Sequence, residues 1–367
     1  MDGILVVEGH ITDYESVITL SRSRRLSNDD WTMDYIFYAN VFVEREDGTL
    51  FPAERPITVW PPLPRFVVNN GKLDANSRYR LRIEMGNVQY FSEFSYPIIT
   101  PEIDSVFWRQ GRDSSVSIHV ATHSPDRQVM FYRWSFREDW EINSAVYHPD
   151  FPFRCWTFAY SREAVFGSAE RTIFGRVIEV IHEIPMWDRR LSVLYRIEVT
   201  QNAISKQAHY YFENLQRNTE ITGSIFSPTP STLRGNIYNA TDPSRHVIGF
   251  IDVSTTTRKR LYIPSVFPNP SCIKRTREEI MERHPHVYLC PYCPLRCGYI
   301  EFDRIPGNDS CDLCGPCIKC ECGECVVHRA CLDDRCDHRC DLVIYIQQNC
   351  VDCTFFGTTE KPYDWPI

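Results

Sequence analysis

The stretch Ala39-Asn40-Val41-Phe42-Val43-Glu44-Arg45-Glu46-Asp47-Gly48-Thr49-Leu50-Phe51 sets an Asp-Gly pair between two β-rich runs. Both residues of that pair tolerate positive φ, so the stretch carries a strong short-range signal for a β-hairpin. Before it, Ile4 to Gly9 reads as a first strand and Ser16 to Leu20 alternates apolar with polar; after it, Tyr79 to Tyr90 holds a second hairpin. Strands this close together, with no helix between them, predict an antiparallel sandwich of immunoglobulin or transthyretin type over residues 1–100.

Pro97 to Pro101 marks a junction, because proline cannot continue a central strand. Beyond it, strands are expected at Ile103 to Trp108, Val116 to Val120, Met130 to Trp140, Arg176 to His182, Leu191 to Thr200 and Val247 to Ile263, which makes residues 101–270 a second β-rich domain. One helix stands out near 203–217. Ile204, Ala208, Tyr211, Phe212 and Leu215 follow the 3.6-residue period, Asn202 or Ser205 is placed to cap it, and its aromatic stripe reads as core packing. Gly235 and Gly249 mark bends. Pro264, Pro268 and Pro270 close the domain, and Thr276-Arg277-Glu278-Glu279 has the form of a capping box leading a short helix into a segment of different character, residues 271–367. The fold expected is mainly β: tandem β-sandwich domains, one amphipathic helix and a cysteine-rich C-terminal module.

With 367 residues, several hydrophobic cores are expected. No run of about 18 apolar residues is present to span a bilayer as a helix. The formal charge of −8 is spread without a basic stripe, which argues against nucleic acid as a partner. The opening Met1-Asp2-Gly3-Ile4 carries no signal sequence. Of the 16 cysteines only Cys155 precedes residue 271, and Cys272 follows it; Cys290, Cys293, Cys297, Cys311, Cys314, Cys317, Cys320, Cys322, Cys325, Cys331, Cys336 and Cys340 crowd one stretch, with Cys350 and Cys353 beyond. Such density means a disulfide framework in an oxidising compartment or a metal cluster in a reducing one.

Several stretches taken together resemble one family: Leu5-Val6-Val7-Glu8-Gly9-His10-Ile11-Thr12-Asp13, Pro101-Glu102-Ile103-Asp104-Ser105-Val106, Tyr132 to Trp140, Tyr195 to Val199, Gly223 to Phe226 with Arg234-Gly235-Asn236-Ile237, Val247-Ile248-Gly249-Phe250, and Cys350 through Gly357 to Trp365. In order and spacing they resemble the Bacteroidota outer-membrane surface lipoproteins catalogued as domain of unknown function family 4249. The resemblance implies a protein held by an N-terminal lipid on the outer face of the outer membrane, beside a TonB-dependent β-barrel transporter. Members carry a signal peptide ending in an acylated cysteine, which this chain lacks, so the chain is expected to be trimmed. The block from Cys290 to Cys340 stands as an insertion relative to the family's usual ending.

The implied surface location favours disulfides for the cysteine block. The alternative is zinc: Cys290-x-x-Cys293 and Cys311-x-x-Cys314 have zinc-ribbon spacing, with His284, His286, His328 and His338 as further donors. Cys155 and Cys272 are left to pair with each other or with the C-terminal Cys350 and Cys353. No nucleophile elbow, His-Glu-x-x-His, phosphate loop or dinucleotide fingerprint occurs. Glu138, Asp139 and Glu141, near Trp134 and Trp140, could supply a glycosidase's acid and base but read as a solvated strand face. Asn239-Ala240-Thr241 fits a glycosylation sequon and suggests a surface loop. The expectation is therefore a non-enzymatic binding or accessory subunit of an outer-membrane transporter or related complex, without cofactor. Two alternatives stand beside it: a surface hydrolase acting on glycans or peptides, and a structural docking subunit of an envelope assembly.

Overall fold

The computed structural model describes residues 3–23, 34–54, 65–145, 147, 149–161, 163–172, 175–186, 188–221, 234–267, 275–276, 299–305, 318–321, 324–327, 342–347 and 352–366. Strands β1 (Leu5–Thr12) and β2 (Tyr14–Arg22) pair antiparallel, β3 (Asp34–Tyr35) edges β2, and β4 (Asn40–Arg45), β5 (Leu50–Glu54), β6 (Arg65–Gly71), β7 (Tyr79–Met85) and β8 (Val88–Ser92) follow. The Asp47-Gly48 turn joins β4 to β5 with Gly48 at φ 87°, and Gly86, at φ 60°, turns β7 into β8. A side chain at either glycine would meet open space, so glycine is there for its backbone conformation alone. Alternation does the rest: Val41 and Val43 of β4 and Leu81 and Ile83 of β7 are buried, while Arg80 of β7 reaches across to its partner Glu44 at 2.9 Å on the other face.

The second group consists of β9 (Ile103–Gln110), β10 (Val116–His123), β11 (Phe131–Asn143), β12 (Arg154–Tyr160), β13 (Val165–Ser168), β14 (Arg176–Ile184) and β15 (Leu194–Ala203). Helix α1 (Lys206–Ile221) comes next, then β16 (Ile237–Asn239), β17 (Val247–Ile248), β18 (Val253–Ser254) and β19 (Thr256–Pro264). One sheet runs β14-β10-β9 and another β12-β11-β15-β19 with β13 on β11. Their inner faces share a core in which Val116, Ile118 and Val120 of β10 meet Tyr132 and Trp134 of β11 and Ile197 and Val199 of β15. Ser205 caps α1, its Oγ accepting from the Ala208 amide at 3.1 Å, and Ile204 and Ala208 pack with Phe131 as the helical period predicts.

Residues 237–254 lie inside the 101–270 stretch that the sequence assigns to the second domain, yet their strands complete the first sheet. β16 pairs antiparallel with β8 at one end of it, and β17 and β18 pair parallel with β1 at the other. Among the described residues this sheet has 11 strands, in the order β16-β8-β7-β4-β5-β6-β2-β1-β17 with β3 and β18 off the path. Because a short connection joins β16 to β17, the sheet must curl until its two ends meet. The first core, from Leu5 and Ile11 through Val43 and Leu81, accordingly takes in Ile237, Val247, Ile251 and Val253.

Further on, β20 (Arg275–Thr276), β21 (Tyr299–Ile305), β22 (Ile318–Glu321), β23 (Glu324–Val327) and β24 (Leu342–Gln347) form a β20-β24-β21 sheet and a β22-β23 pair. Thr276, expected at a helix start, ends a strand; residues 277–279 of that expected helix lie outside the described residues. The described chain is thus mainly β with one α-helix.

Candidate functional site

Cys155 of β12 and Cys353 form a disulfide across a sequence separation of 198. Both are fully buried. Cys320 and Cys325 face each other in the β22-β23 register. Cys272, Cys290, Cys293, Cys297, Cys311, Cys314, Cys317, Cys322, Cys331, Cys336, Cys340 and Cys350, and with them the zinc-ribbon alternative, lie outside the described residues.

The acidic run of β11 is buried rather than solvated: Glu138 is 5%, Asp139 1% and Glu141 6% exposed. Successive strand residues point to opposite faces, so Glu138 and Asp139 enter separate networks. Glu138 accepts from Tyr195 OH at 2.7 Å and Arg190 Nη1 at 3.0 Å, with His182 Nε2 at 3.3 Å. Burial alone would raise its pKa, but the His182 hydrogen bond, the Arg190 charge and the Tyr195 hydroxyl outweigh it and leave the carboxyl below its ordinary value. Asp139 accepts from Arg196 Nη2 at 2.9 Å and Arg137 Nη2 at 2.8 Å, and Glu141 from the Trp365 indole at 3.2 Å. Arg196 also binds Asp364, so the C-terminal stretch 352–366 straps the outer face of this sheet. Each of these carboxylates is held by partners of its own. The charge run looked solvated in sequence because Arg190, Tyr195, Arg196 and Trp365 come from distant positions.

The asparagine of the sequon is also interior. Asn239 is 1% exposed on β16, and its Oδ1 accepts from the amides of Thr241 and Asp242, a turn-forming role in place of an exposed acceptor.

Where the two ends of the first sheet meet, the backbones nearly touch. A Cβ at Gly235 would lie 1.6 Å from Gly249 O, and one at Gly249, which sits at φ 151°, would lie 2.4 Å from Val7 O. Asn236 clasps the gap: its Nδ2 donates to Ile251 O at 2.7 Å and its Oδ1 accepts from Ile251 N at 2.8 Å. One residue on, Asp252 accepts from the Ser205 amide at 2.7 Å, which docks the start of α1 on the seam. Burial pushes Asp252 up to about 6 against the opposing pull of Ser205. On β1 itself, His10 Nε2 lies 2.7 Å from Ser254 Oγ of β18, and burial together with the Arg133 charge lowers this ring to about 3 and keeps it neutral.

Beside this seam opens a cleft of about 660 Å³. Its floor and one wall come from Glu93, Phe94 and Ser95 after β8 and from Arg234, Gly235, Asn236, Phe250 and Asp252 of the seam. The other wall is one face of α1, where Gln207, Tyr210, Tyr211 and Asn214 recur at i, i+3, i+4 and i+7. Tyr210 is held by donating its hydroxyl to Glu170 at 3.1 Å. Tyr211, 5% exposed, has a hydroxyl near the Gly249 backbone that meets no group in hydrogen-bonding geometry, and Ser95 Oγ is likewise without a partner. Sequence reasoning read this helix stripe as core, which fits Ala208 and Tyr211 but passes over Gln207, Tyr210 and Asn214.

A family model described as Domain of unknown function (DUF4249) matches residues 1–260. None of the curated proteins matches. Among solved structures, a chain of a cytokine receptor complex (crystal form 1A) aligns with 10% identity over 56% of this chain and 86% of its own, at a TM-score of 0.19. A second, from crystal form 2 of a cytokine receptor complex, aligns with 9% identity over 56% and 93%, also at 0.19. Superpositions that poor carry nothing about the fold. The family match spans β1 to β18 and includes every residue of the cleft, while the cysteine-rich segment and the strap lie beyond it. The chain therefore belongs to the DUF4249 family.

Proposed function

We propose that this protein is a surface-exposed outer-membrane lipoprotein serving as a binding or accessory subunit of a TonB-dependent transporter or related outer-membrane complex, with the seam cleft as its recognition site. The observation that carries this reading is the cleft itself: a concavity with aromatic walls and converging polar groups, set where the two ends of the first sheet meet and walled on one side by α1. The family resemblance supplies the expected location and lipid anchor. The Cys155–Cys353 disulfide suits an oxidising compartment. In this reading the two strand groups are immunoglobulin- or transthyretin-like sandwich units, and the cysteine-rich segment is a disulfide-held module. A glycosidase built on Glu138 and Asp139 gains no support, because the two point to opposite faces of β11 and each is held by arginine.

Purification from native membranes in mild detergent tests the proposal. The protein is expected to co-purify with a β-barrel partner; recovery only as a free monomer overturns the accessory role.

A further inference from the structure

Building on that reading, the lining of the seam cleft defines the class of ligand it takes. Its formal charges are few and of both signs, those of Glu93, Asp252 and Arg234. Asp252 is already committed to the Ser205 amide at the start of α1, so the helix end that would otherwise attract an anion is occupied. The surrounding groups are uncharged and of both polarities. Gln207 and Asn214, both exposed on α1, offer amides that make no side-chain bond among the described residues, whereas the Ser95 and Tyr211 hydroxyl oxygens are closed off from the cleft surface. Phe250 and Tyr211 lie with ring centroids 5.6 Å apart, and Tyr210 is fixed by Glu170.

A phosphate or carboxylate ligand would meet one cation, Arg234, against the two carboxylates of Glu93 and Asp252. A lipid tail would cover the Gln207 and Asn214 amides and leave them unpaired, at a cost of about 1–3 kcal/mol for each. A ligand whose every polar group both donates and accepts, and whose ring presents a face of C–H bonds to an aromatic wall, satisfies all of them at once. We infer that the cleft binds a neutral sugar ring at the end or within a short oligosaccharide, with Gln207 and Asn214 bonding its hydroxyls and the Tyr210, Tyr211 and Phe250 side receiving its apolar face.

The inference is tested by titration calorimetry and saturation-transfer NMR on the intact chain with a panel of neutral trisaccharides (maltotriose, cellotriose, xylotriose, mannotriose and tri-N-acetylchitotriose). Trigalacturonate and a chitosan trimer serve as anionic and cationic counterparts. At least one neutral trisaccharide is expected to bind, and to bind more tightly than either charged trimer. Gln207→Ala/Asn214→Ala alters two exposed helix positions, so the variant should keep its melting temperature while its affinity falls by about tenfold or more. Binding of no neutral trimer, preference for a charged one, or unchanged affinity in the double variant overturns the inference. A β-barrel partner that still co-purifies in that case leaves the accessory role standing and removes only the sugar.

Discussion

Asp252 carries a measurable signature. Its carboxyl, ordinarily near 3.8, is pushed up to about 6 by burial, although the Ser205 amide draws it the other way. Between those two pH values the folded chain holds a proton that the unfolded chain has released, so folding stability falls as pH rises from about 4 to 6 and stays lower above. The full difference corresponds to about 3 kcal/mol. Asp252→Asn keeps an oxygen for Ser205 and removes the titration. The variant is expected to match the parent within about 1 kcal/mol at pH 4 and to exceed it by about 1–3 kcal/mol at pH 7.5, read from urea unfolding at the two pH values. A variant weaker than the parent at pH 7.5 would show that the charge itself is needed. Nothing in the sequence around Asp252 distinguishes it from an exposed loop aspartate, because its burial comes from α1 docking on the seam. Glu138 and Asp139 give the same lesson: the charges were legible, and the arginines that neutralise them were not.

Local signals placed the elements well wherever the cause was local. Gly48 turns where positive φ is needed, the alternation of β4 and β7 matches the buried and exposed faces, and the period of Ile204, Ala208 and Tyr211 sets the inner side of α1. The same reasoning could see Gly235 and Gly249 only as bends. In the fold they are the closest approach between the ends of one sheet, which no window of sequence reveals. Gly235→Ala would force its methyl against Gly249 O, and neither partner is a flexible side chain, so a cost of about 3 kcal/mol or more is expected from a shifted backbone. Gly86→Ala faces open space and should cost only about 1 kcal/mol, for its positive φ. Equal losses in chemical denaturation would mean that the seam is not tightly closed.

The largest feature hidden from the sequence is the order in which the chain visits its two strand groups. It leaves the first near Ile98, builds the second, returns through β16, β17 and β18, and crosses back into β19, with Ile98 of the outgoing segment bonded to Val253 and Thr255 of the returning one and Thr100 bonded to Thr255. Ile263, Tyr195, Trp140 and Thr157 lie in one row across β19, β15, β11 and β12, which puts β19 and β12 about 14 Å apart at three strand spacings. The chain leaves this sheet past Phe267 and comes back at Cys353 at the same end, where Cys155 binds it. From Cys155 to Cys353 the polypeptide is therefore a covalent ring, and the stretch 268–351 is an arc of it. A cleavable site inserted between Val351 and Asp352 lies beyond every cysteine but Cys353, so after cutting, the fragment from Asp352 onward should stay attached on a non-reducing denaturing gel. Reductant, or Cys155→Ser, should free it, and release from the parent without reductant would refute the bond. Scission within that arc yields one molecule, heavier by a single water, which parts only when a thiol reaches a sulfur that the folded sheet keeps out of solvent.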